Sequence, residues 1–141
     1  MNSINKLFEK VFSPLAPYSL WIIRFALGVS FFLHGWSKLP LPPTKLMALF
    51  ERVGMVSPEL MANLVALGEI GAGAGILLGG ILKGNIGNII TRVSALGITI
   101  IMIGAFYIAH PDWFIHAKLF MSEQIFLFVL ALFFLINGNK K

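Results

Sequence analysis

Residues 59–82 read ELMANLVALGEIGAGAGILLGGIL, an apolar stretch with one charged residue in its interior, Glu69. A helix of this length extends about 36 Å, and about 20 mostly apolar residues suffice to cross a bilayer. The stretch is therefore a predicted membrane span. Its composition is typical of the whole chain of 141 residues, which is 57% hydrophobic and only 12% charged, unlike an average soluble domain.

Three more apolar segments are predicted spans. The last of the three is short, and it extends toward Leu119 if that stretch is helical. We predict one domain, residues 1–141, that is an all-α integral membrane four-helix bundle. The predicted spans are 18–37, 59–82, 89–109 and 122–136.

Two shorter segments have helical spacing of apolar residues. Residues 7–12 predict an amphipathic helix on the membrane surface, which Pro14 and Pro17 end before the first span. Residues 45–53 (KLMALFERV) predict a short interfacial helix in the first outer loop, and the glycines and asparagines of residues 83–88 predict a turn.

Glycine recurs at every fourth position in the second span. Gly71, Gly75 and Gly79 form a small-xxx-small ridge, a pattern that lets helices approach closely in lipid. The ridge predicts helix packing rather than ligand binding.

The basic residues indicate the orientation of the chain. An inner N-terminus places more of them on the cytoplasmic side, as the positive-inside rule requires. We therefore predict a multi-pass protein of the inner (cytoplasmic) membrane with both termini in the cytoplasm. The residues then inside are Lys6, Lys10, Lys83, Arg92, Lys140 and Lys141, and those outside are Lys38, Lys45, Arg52 and Lys118.

Composition excludes several classes of function. The chain has no cysteine, which excludes thiol catalysis and thiolate ligation of iron–sulfur clusters. The net charge of +5 is better explained by membrane-flanking lysines than by nucleic-acid binding, because no basic soluble surface exists for a phosphate backbone to follow.

Charged residues inside a bilayer cost about 2.5 to 3.5 kcal/mol each, so each needs a structural or functional reason. Arg24 lies seven residues into the first predicted span, and Glu69 lies ten residues into the second from the opposite side. These depths differ by only a few Å, which predicts an ion pair between Arg24 and Glu69. The pair is either a clasp between helices or a polar group in a cavity.

Other polar residues gather at the predicted outer end of the bundle. Arg92 and His110 are 18 residues apart, five helical turns, so they share one predicted helix face. The gathered residues predict a polar vestibule that suits a quinone head group, with histidine or lysine donating to a carbonyl oxygen and a carboxylate passing protons. The candidate ligand-binding or proton-handling residues are Arg24, His34, Lys38, Glu69, His110 and Glu123, with His116 nearby; the candidate cofactor-binding residues are His34, Trp36, Tyr107 and His110, with Trp113 at the rim.

Two other kinds of site stay open at this stage. His34, His110 and Glu123 are of the right types to bind a metal, but no E-x-x-H or H-x-x-E-H spacing supports a metal site, and none is predicted. His34 and His110 are also the pair that a b-type haem would use. The simplest alternative is that each polar residue only occupies the membrane interface, and Arg92 and Lys118 are most simply interpreted as snorkelling or surface charges.

The order and spacing of these residues resemble the DoxX family. The resemblance rests on Arg24, the F-x-x-H-G-x-x-K-L stretch at residues 31–39, the glycine-rich segment from Glu69 to Gly79, and the run from Arg92 to His110. It covers about residues 17–138, with Glu123 opening the last helix. The resemblance implies a small four-helix membrane protein associated with quinol oxidase or thiosulfate:quinone oxidoreductase systems, and some distant relatives act in protein export or receptor assembly.

The leading hypothesis is a membrane subunit or accessory factor of a quinone-linked redox system, with quinone as the candidate cofactor. Whether the chain is itself an enzyme stays open. The alternative is a non-enzymatic interaction or assembly protein whose buried charges are structural, and a transporter is disfavoured because no inverted repeat is evident. The expected partners are membrane lipid, a redox-enzyme subunit and a second copy of the chain, but not nucleic acid.

Overall fold

The computed structural model describes residues 2–113 and 116–140, and these residues form seven α-helices joined by short turns. In chain order they are α1 (Ser3–Phe12), α2 (Ala16–Trp36), α3 (Thr44–Arg52), α4 (Pro58–Ile81), α5 (Gly84–Gly104), α6 (Ala117–Phe120) and α7 (Glu123–Asn137). Single 3₁₀ turns occur at Ser13–Leu15 and Pro111–Trp113, and a π-helical turn at Ala105–Ala109 continues α5. The described residues contain no strand, which confirms the all-α class.

Three helical stretches are long and apolar enough to cross a membrane: Ser3–Trp36, Pro58–Ile81 and Gly84–Ala109. The helix α7 has only 15 residues, a length of about 22 Å, whereas the hydrocarbon core of a bilayer is about 30 Å thick. The protein is a helical membrane bundle, as predicted, and α7 is the short member of it.

The helix α4 lies between α2 and α5, and α7 packs against α5 and also contacts α2, which closes the bundle. All four helices contribute side chains to one apolar core, so burial in the interior is continuous from helix to helix. The core residues are Leu27, Phe31, Ile76, Ala95, Ile98, Met102, Leu127, Ala131 and Phe134.

Glycines set the contact between α2 and α4. A Cβ atom on Gly73 would lie 2.7 Å from the carbonyl oxygen of Gly28, and one on Gly35 would lie 2.7 Å from that of Ala66. No side chain fits at either crossing point, because these distances are below ordinary van der Waals contact. The two backbones therefore touch directly, as small residues allow in membranes.

Two of the three glycines in the predicted ridge of Gly71, Gly75 and Gly79 pack closely against another helix, and both face α5. Gly75 packs against Ser94 and Gly79 against Thr91, both on α5, whereas nothing lies within 4 Å of a Cβ atom on Gly71. Gly73 and Gly80, outside the ridge, face α2. The four-residue spacing thus indicated close packing correctly for Gly75 and Gly79, but not for Gly71.

The helix α5 begins at Gly84, five residues before the start of the predicted span. Gly87 belongs to the helix rather than to a turn, and a Cβ atom there would lie 2.7 Å from the carbonyl oxygen of Gly79. The connection from α4 consists of Leu82 and Lys83 alone. Gly87, which the sequence placed in a turn, instead lies in the contact between α5 and α4.

The first helix also differs from the prediction. The helix α1 spans Ser3–Phe12, and Pro14 and Pro17 do not separate it from α2, because the single 3₁₀ turn between them keeps helical backbone angles. At the other end of the chain, Leu119 belongs to the separate helix α6, and Ser122 adopts an extended conformation before α7. The last span therefore does not extend toward Leu119.

The predicted interfacial helix is present as α3, Thr44–Arg52, shifted by one residue. It packs against α4, and its Phe50 is buried with an exposure of 6%. Leu46, Leu49 and Phe50 share one face, at the i, i+3, i+4 spacing of an amphipathic helix. This face covers the bundle at the end where α2 stops and α4 starts.

Replacing Gly73 by alanine tests the α2–α4 contact. We expect Gly73→Ala to lower the free energy of unfolding by about 1–3 kcal/mol, because the added methyl group overpacks the crossing point. Reversible unfolding of the purified protein in mixed detergent micelles measures the change. Gly71→Ala is the matched control, since it adds the same methyl group on the same helix in open space; equal destabilisation by both variants would contradict the assignment.

Candidate functional site

A cavity of about 420 Å³ lies inside the bundle at the end where α2 stops, which we call the Lys38 end. Its walls come from α2, α4, α5 and α7, and α3 covers it with Leu46, Leu49 and Phe50. Most of the lining is apolar, and Phe31 and Leu127 from the core form part of it. The ionisable residues that line it are His34, Lys38, Glu69 and His110.

Lys38 and Glu69 form a buried ion pair in the wall of this cavity. The Lys38 ammonium donates hydrogen bonds to Glu69 Oε2 and, at 3.1 Å, to the carbonyl oxygen of His34. The side chain of Glu69 is 8% exposed and that of Lys38 is 24% exposed. Glu69 stands beside Gly35, where a Cβ atom would lie 2.8 Å from Glu69 Cβ, so the close helix contact brings the carboxylate to Lys38.

The predicted ion pair between Arg24 and Glu69 is wrong. Glu69 lies level with Gly35 on α2, and the 11 residues from Arg24 to Gly35 span about 16 Å of helix. The prediction requires that the two helices meet opposite membrane surfaces at Tyr18 and Glu59. The glycine contacts instead set a register that puts Arg24 and Glu69 toward opposite ends of the bundle.

His34 joins α2 to α7 through Glu123. The ring atom Nε2 lies 3.2 Å from Glu123 Oε1, and Nδ1 lies 2.9 Å from the carbonyl oxygen of Ser30. The carbonyl oxygen of Ser30 can only accept, so the tautomer that donates from Nδ1 satisfies this hydrogen bond. The imidazole and the carboxylate thus lie at hydrogen-bond distance from each other at the rim of the cavity.

The remaining predicted residues divide into two groups. His110 lines the cavity and stacks on Trp113, with ring centroids 3.7 Å apart. Trp36 stacks on Phe32 and is 57% exposed, and Tyr107 is 82% exposed, so neither ring covers the cavity. The aromatic surface that the cavity does have comes from Phe31 and Phe50, which the sequence offered only as apolar residues.

His116, which the sequence placed in the predicted outer cluster, lies near α6 instead. His116 accepts a hydrogen bond from the backbone of Lys118 at 3.4 Å and so caps α6, away from the cavity. The Lys118 ammonium lies 3.3 Å from Asp112 on the surface. This hydrogen bond, rather than burial, lowers the pKa of the Asp112 carboxyl.

Arg24 is the centre of a second polar cluster at the opposite end of the bundle, which we call the Arg24 end. It is 2% exposed and donates to the carbonyl oxygen of Ile76, to Thr91 Oγ1 at 3.0 Å and to Asn139 Oδ1 at 2.7 Å. Its guanidinium carbon also lies 4.5 Å from the ring centroid of Phe134, a cation–π distance.

Asn139 is the residue of this cluster that the sequence did not point to. Its Nδ2 donates to the carbonyl oxygen of Gly79 at 2.7 Å, and its backbone N–H donates to Asn88 Oδ1 at 3.0 Å. Nearby, Arg92 donates to the last carbonyl oxygens of α7, those of Leu135 and Ile136. Arg92 therefore caps a helix rather than snorkelling as predicted. Asparagine near a chain end carries no periodic signal, so only the fold reveals its role.

No three histidine, aspartate or glutamate side chains converge on a common point within residues 2–113 and 116–140. His34 is instead engaged by Ser30 and Glu123, and His110 by Trp113. The geometry of the Lys38 end thus offers a charged pair, a contact between an imidazole and a carboxylate, and an apolar space, the features of a pocket for an uncharged organic ring with polar edges.

Comparison with known proteins identifies the family. The DoxX family model matches residues 19–111, well over half of the chain. The protein belongs to the DoxX family. No curated protein and no solved structure matches the chain. The matched residues of this DoxX protein include Arg24, His34, Lys38, Glu69 and His110.

The buried ion pair of the DoxX protein can be tested through stability. We expect Glu69→Gln to lower the free energy of unfolding by about 3 kcal/mol, because it leaves the Lys38 charge largely buried without its partner. Replacing both residues, in Lys38→Met/Glu69→Leu, recovers most of the loss. Unfolding in mixed micelles measures both variants.

Lys118→Gln is the control for this experiment, since it breaks an ion pair on the surface and is expected to leave the melting temperature unchanged. A single Glu69→Gln variant as stable as the wild type would show that the pair does not stabilise the bundle.

Proposed function

We propose that the cavity at the Lys38 end binds a quinone head group and that the protein is a membrane subunit or accessory factor of a quinone-linked redox system. The observation that carries this proposal is an apolar cavity of about 420 Å³ with an ion pair, Lys38 and Glu69, in its wall. The volume lies in the range of small-molecule sites. A quinone ring is apolar and carries two carbonyl oxygens, so it suits a cavity with apolar walls and a few polar groups.

The polar groups have distinct parts in this proposal. The Lys38 ammonium donates a hydrogen bond to a quinone carbonyl oxygen, and Phe31 and Phe50 contact the ring. Reduction of a quinone to a quinol takes up two electrons and two protons. The two protons come from water, and the ionised Glu69 carboxylate and the His34–Glu123 pair relay them inward; the electrons come from the redox enzyme to which the subunit belongs.

The proposal includes an orientation in the inner membrane. The Arg24 end, with Lys83, Arg92 and Lys140, faces the cytoplasm, and the Lys38 end faces outward. Support comes from the positive-inside rule, because Lys6 and Lys10 also precede the first span. The sixth predicted inner charge, Lys141, lies outside the described residues.

The alternative is a protein of interaction or assembly whose buried charges are structural. It is favoured by one observation, the direct hydrogen bond between Lys38 and Glu69, because the pair satisfies itself without a ligand. Under this hypothesis the purified protein binds no quinone, and Glu69→Gln reduces the recovery of a partner in pull-downs along with the stability of the bundle.

Filling the cavity distinguishes these hypotheses. Val65 lines the cavity, and we expect Val65→Trp to weaken binding of a short-tailed ubiquinone or menaquinone analogue at least tenfold, because indole occupies the space of the ring. Lys38→Gln is expected to weaken binding by about tenfold through loss of a charged hydrogen bond. Calorimetric titration of the purified protein in detergent measures both.

Leu64→Trp is the matched control, because Leu64 is the adjacent residue of α4, is 53% exposed and does not line the cavity. It should bind the analogue like the wild type. Absence of saturable binding to the wild type, or equal binding by the Val65→Trp variant, would reject the quinone site and leave the assembly hypothesis.

A further inference from the structure

A second cavity, of about 510 Å³, opens at the Arg24 end of the bundle, away from the site discussed above. Arg24 lines its inner wall, and Lys83, Lys140 and Trp21 line the part nearer the surface. The first residues of α5, Gly84 and Asn85, also line it. Three positive charges therefore face one space.

The charge of Arg24 is compensated by no carboxylate in the part of the chain that the structure describes. Its hydrogen bonds go to a carbonyl oxygen, a hydroxyl and an amide oxygen, and the ion pairs of residues 2–113 and 116–140 lie elsewhere. A guanidinium that is 98% removed from solvent, with 2% exposure, normally needs an anion, because neutral acceptors offset only part of the lost hydration.

Gly80 keeps the guanidinium at the cavity. A Cβ atom on Gly80 would lie 2.6 Å from Arg24 Cδ and 2.7 Å from Arg24 Nε, so glycine leaves the room that the arginine side chain occupies. Within the described residues, Nη1 donates two hydrogen bonds and Nη2 donates one, so the Nε–H and the second Nη2–H are the donors left for an anion in the cavity. Arginine holds its donors in a fixed plane that matches the oxygens of a phosphate group.

The position of the cavity suits a phosphate group at the membrane surface. Lys83 lies in the two-residue connection between α4 and α5, and a connection between two spanning helices lies at the headgroup level of the bilayer. The amide groups that open α5 also favour an anion. Lys140 follows α7 and reaches the same space.

We propose that this cavity binds a phosphate group, with Arg24 at its base and Lys83 and Lys140 at its mouth. The source that the location favours is the headgroup of an anionic phospholipid. The site is independent of the proposed quinone site, because the two cavities share no lining residue.

Trp21 serves as the reporter. The chain has three tryptophans, and the variant Trp36→Phe/Trp113→Phe keeps only Trp21 beside the cavity. We expect phosphatidylglycerol with brominated acyl chains to quench its fluorescence with an apparent affinity at least fivefold above that of brominated phosphatidylcholine. We expect Lys83→Gln/Lys140→Gln in this background to remove the preference for phosphatidylglycerol, because each lysine near an anionic membrane surface raises the affinity about fivefold.

The matched control is Lys6→Gln/Lys10→Gln, which removes two charges from α1 near the same end of the bundle but none from the cavity. It should keep the preference. Equal loss in the two double variants would show diffuse attraction of anionic lipid and would overturn the site.

A separate arm tests a soluble source. In phosphatidylcholine vesicles, inorganic phosphate is titrated against Trp21 emission; a saturable change that Lys83→Gln/Lys140→Gln abolishes would support the phosphate site with a soluble occupant. No lipid preference together with no response to inorganic phosphate would overturn the proposal.

Discussion

The direct backbone contact between α2 and α4 determines where Arg24, Lys38 and Glu69 lie relative to one another. Glycines at positions 28, 35 and 73 allow the two helices to touch without intervening side chains, and this contact holds them in the observed register. In that register Glu69 lies beside the last turn of α2, where Lys38 can reach it. Arg24 lies near the C-terminal end of α4, where its guanidinium donates hydrogen bonds to Thr91 and Asn139.

The two ends of the bundle handle buried charge in different ways. At the Lys38 end, the Lys38 ammonium meets the Glu69 carboxylate directly. At the Arg24 end, the buried guanidinium is surrounded by neutral oxygens and an aromatic ring. The first arrangement places a neutralised ion pair beside an apolar space, whereas the second retains a net positive charge.

The sequence predicted the class of fold and the residues of the cavity better than their pairing. Apolar length and proline and glycine punctuation placed the long helices within a few residues, except at the start of α5. The wrong partner for Glu69 arose because a sequence shows depth along each helix but not the register between helices. The orientation of Trp36 and Tyr107 depends on helix rotation, and the contacts of Asn139 depend on the closed bundle, so neither has a local signal.

The π-helical turn at Ala105–Ala109 changes the phase of the helix that carries His110. The backbone N–H of His110 bonds to the carbonyl oxygen of Ala105, five residues back, at 3.2 Å, where an α-helix would use the fourth. The turn thus holds one residue more than a regular α-turn, and each residue corresponds to about 100° of rotation. In a regular α-helix, His110 would lie on the same face as Arg92, because 18 residues make five whole turns. The π-helical turn moves His110 off that face. The extra residue rotates the end of the helix relative to its start. One continuous helix therefore carries Arg92, which caps α7, and, after the rotation, His110, which lines the cavity.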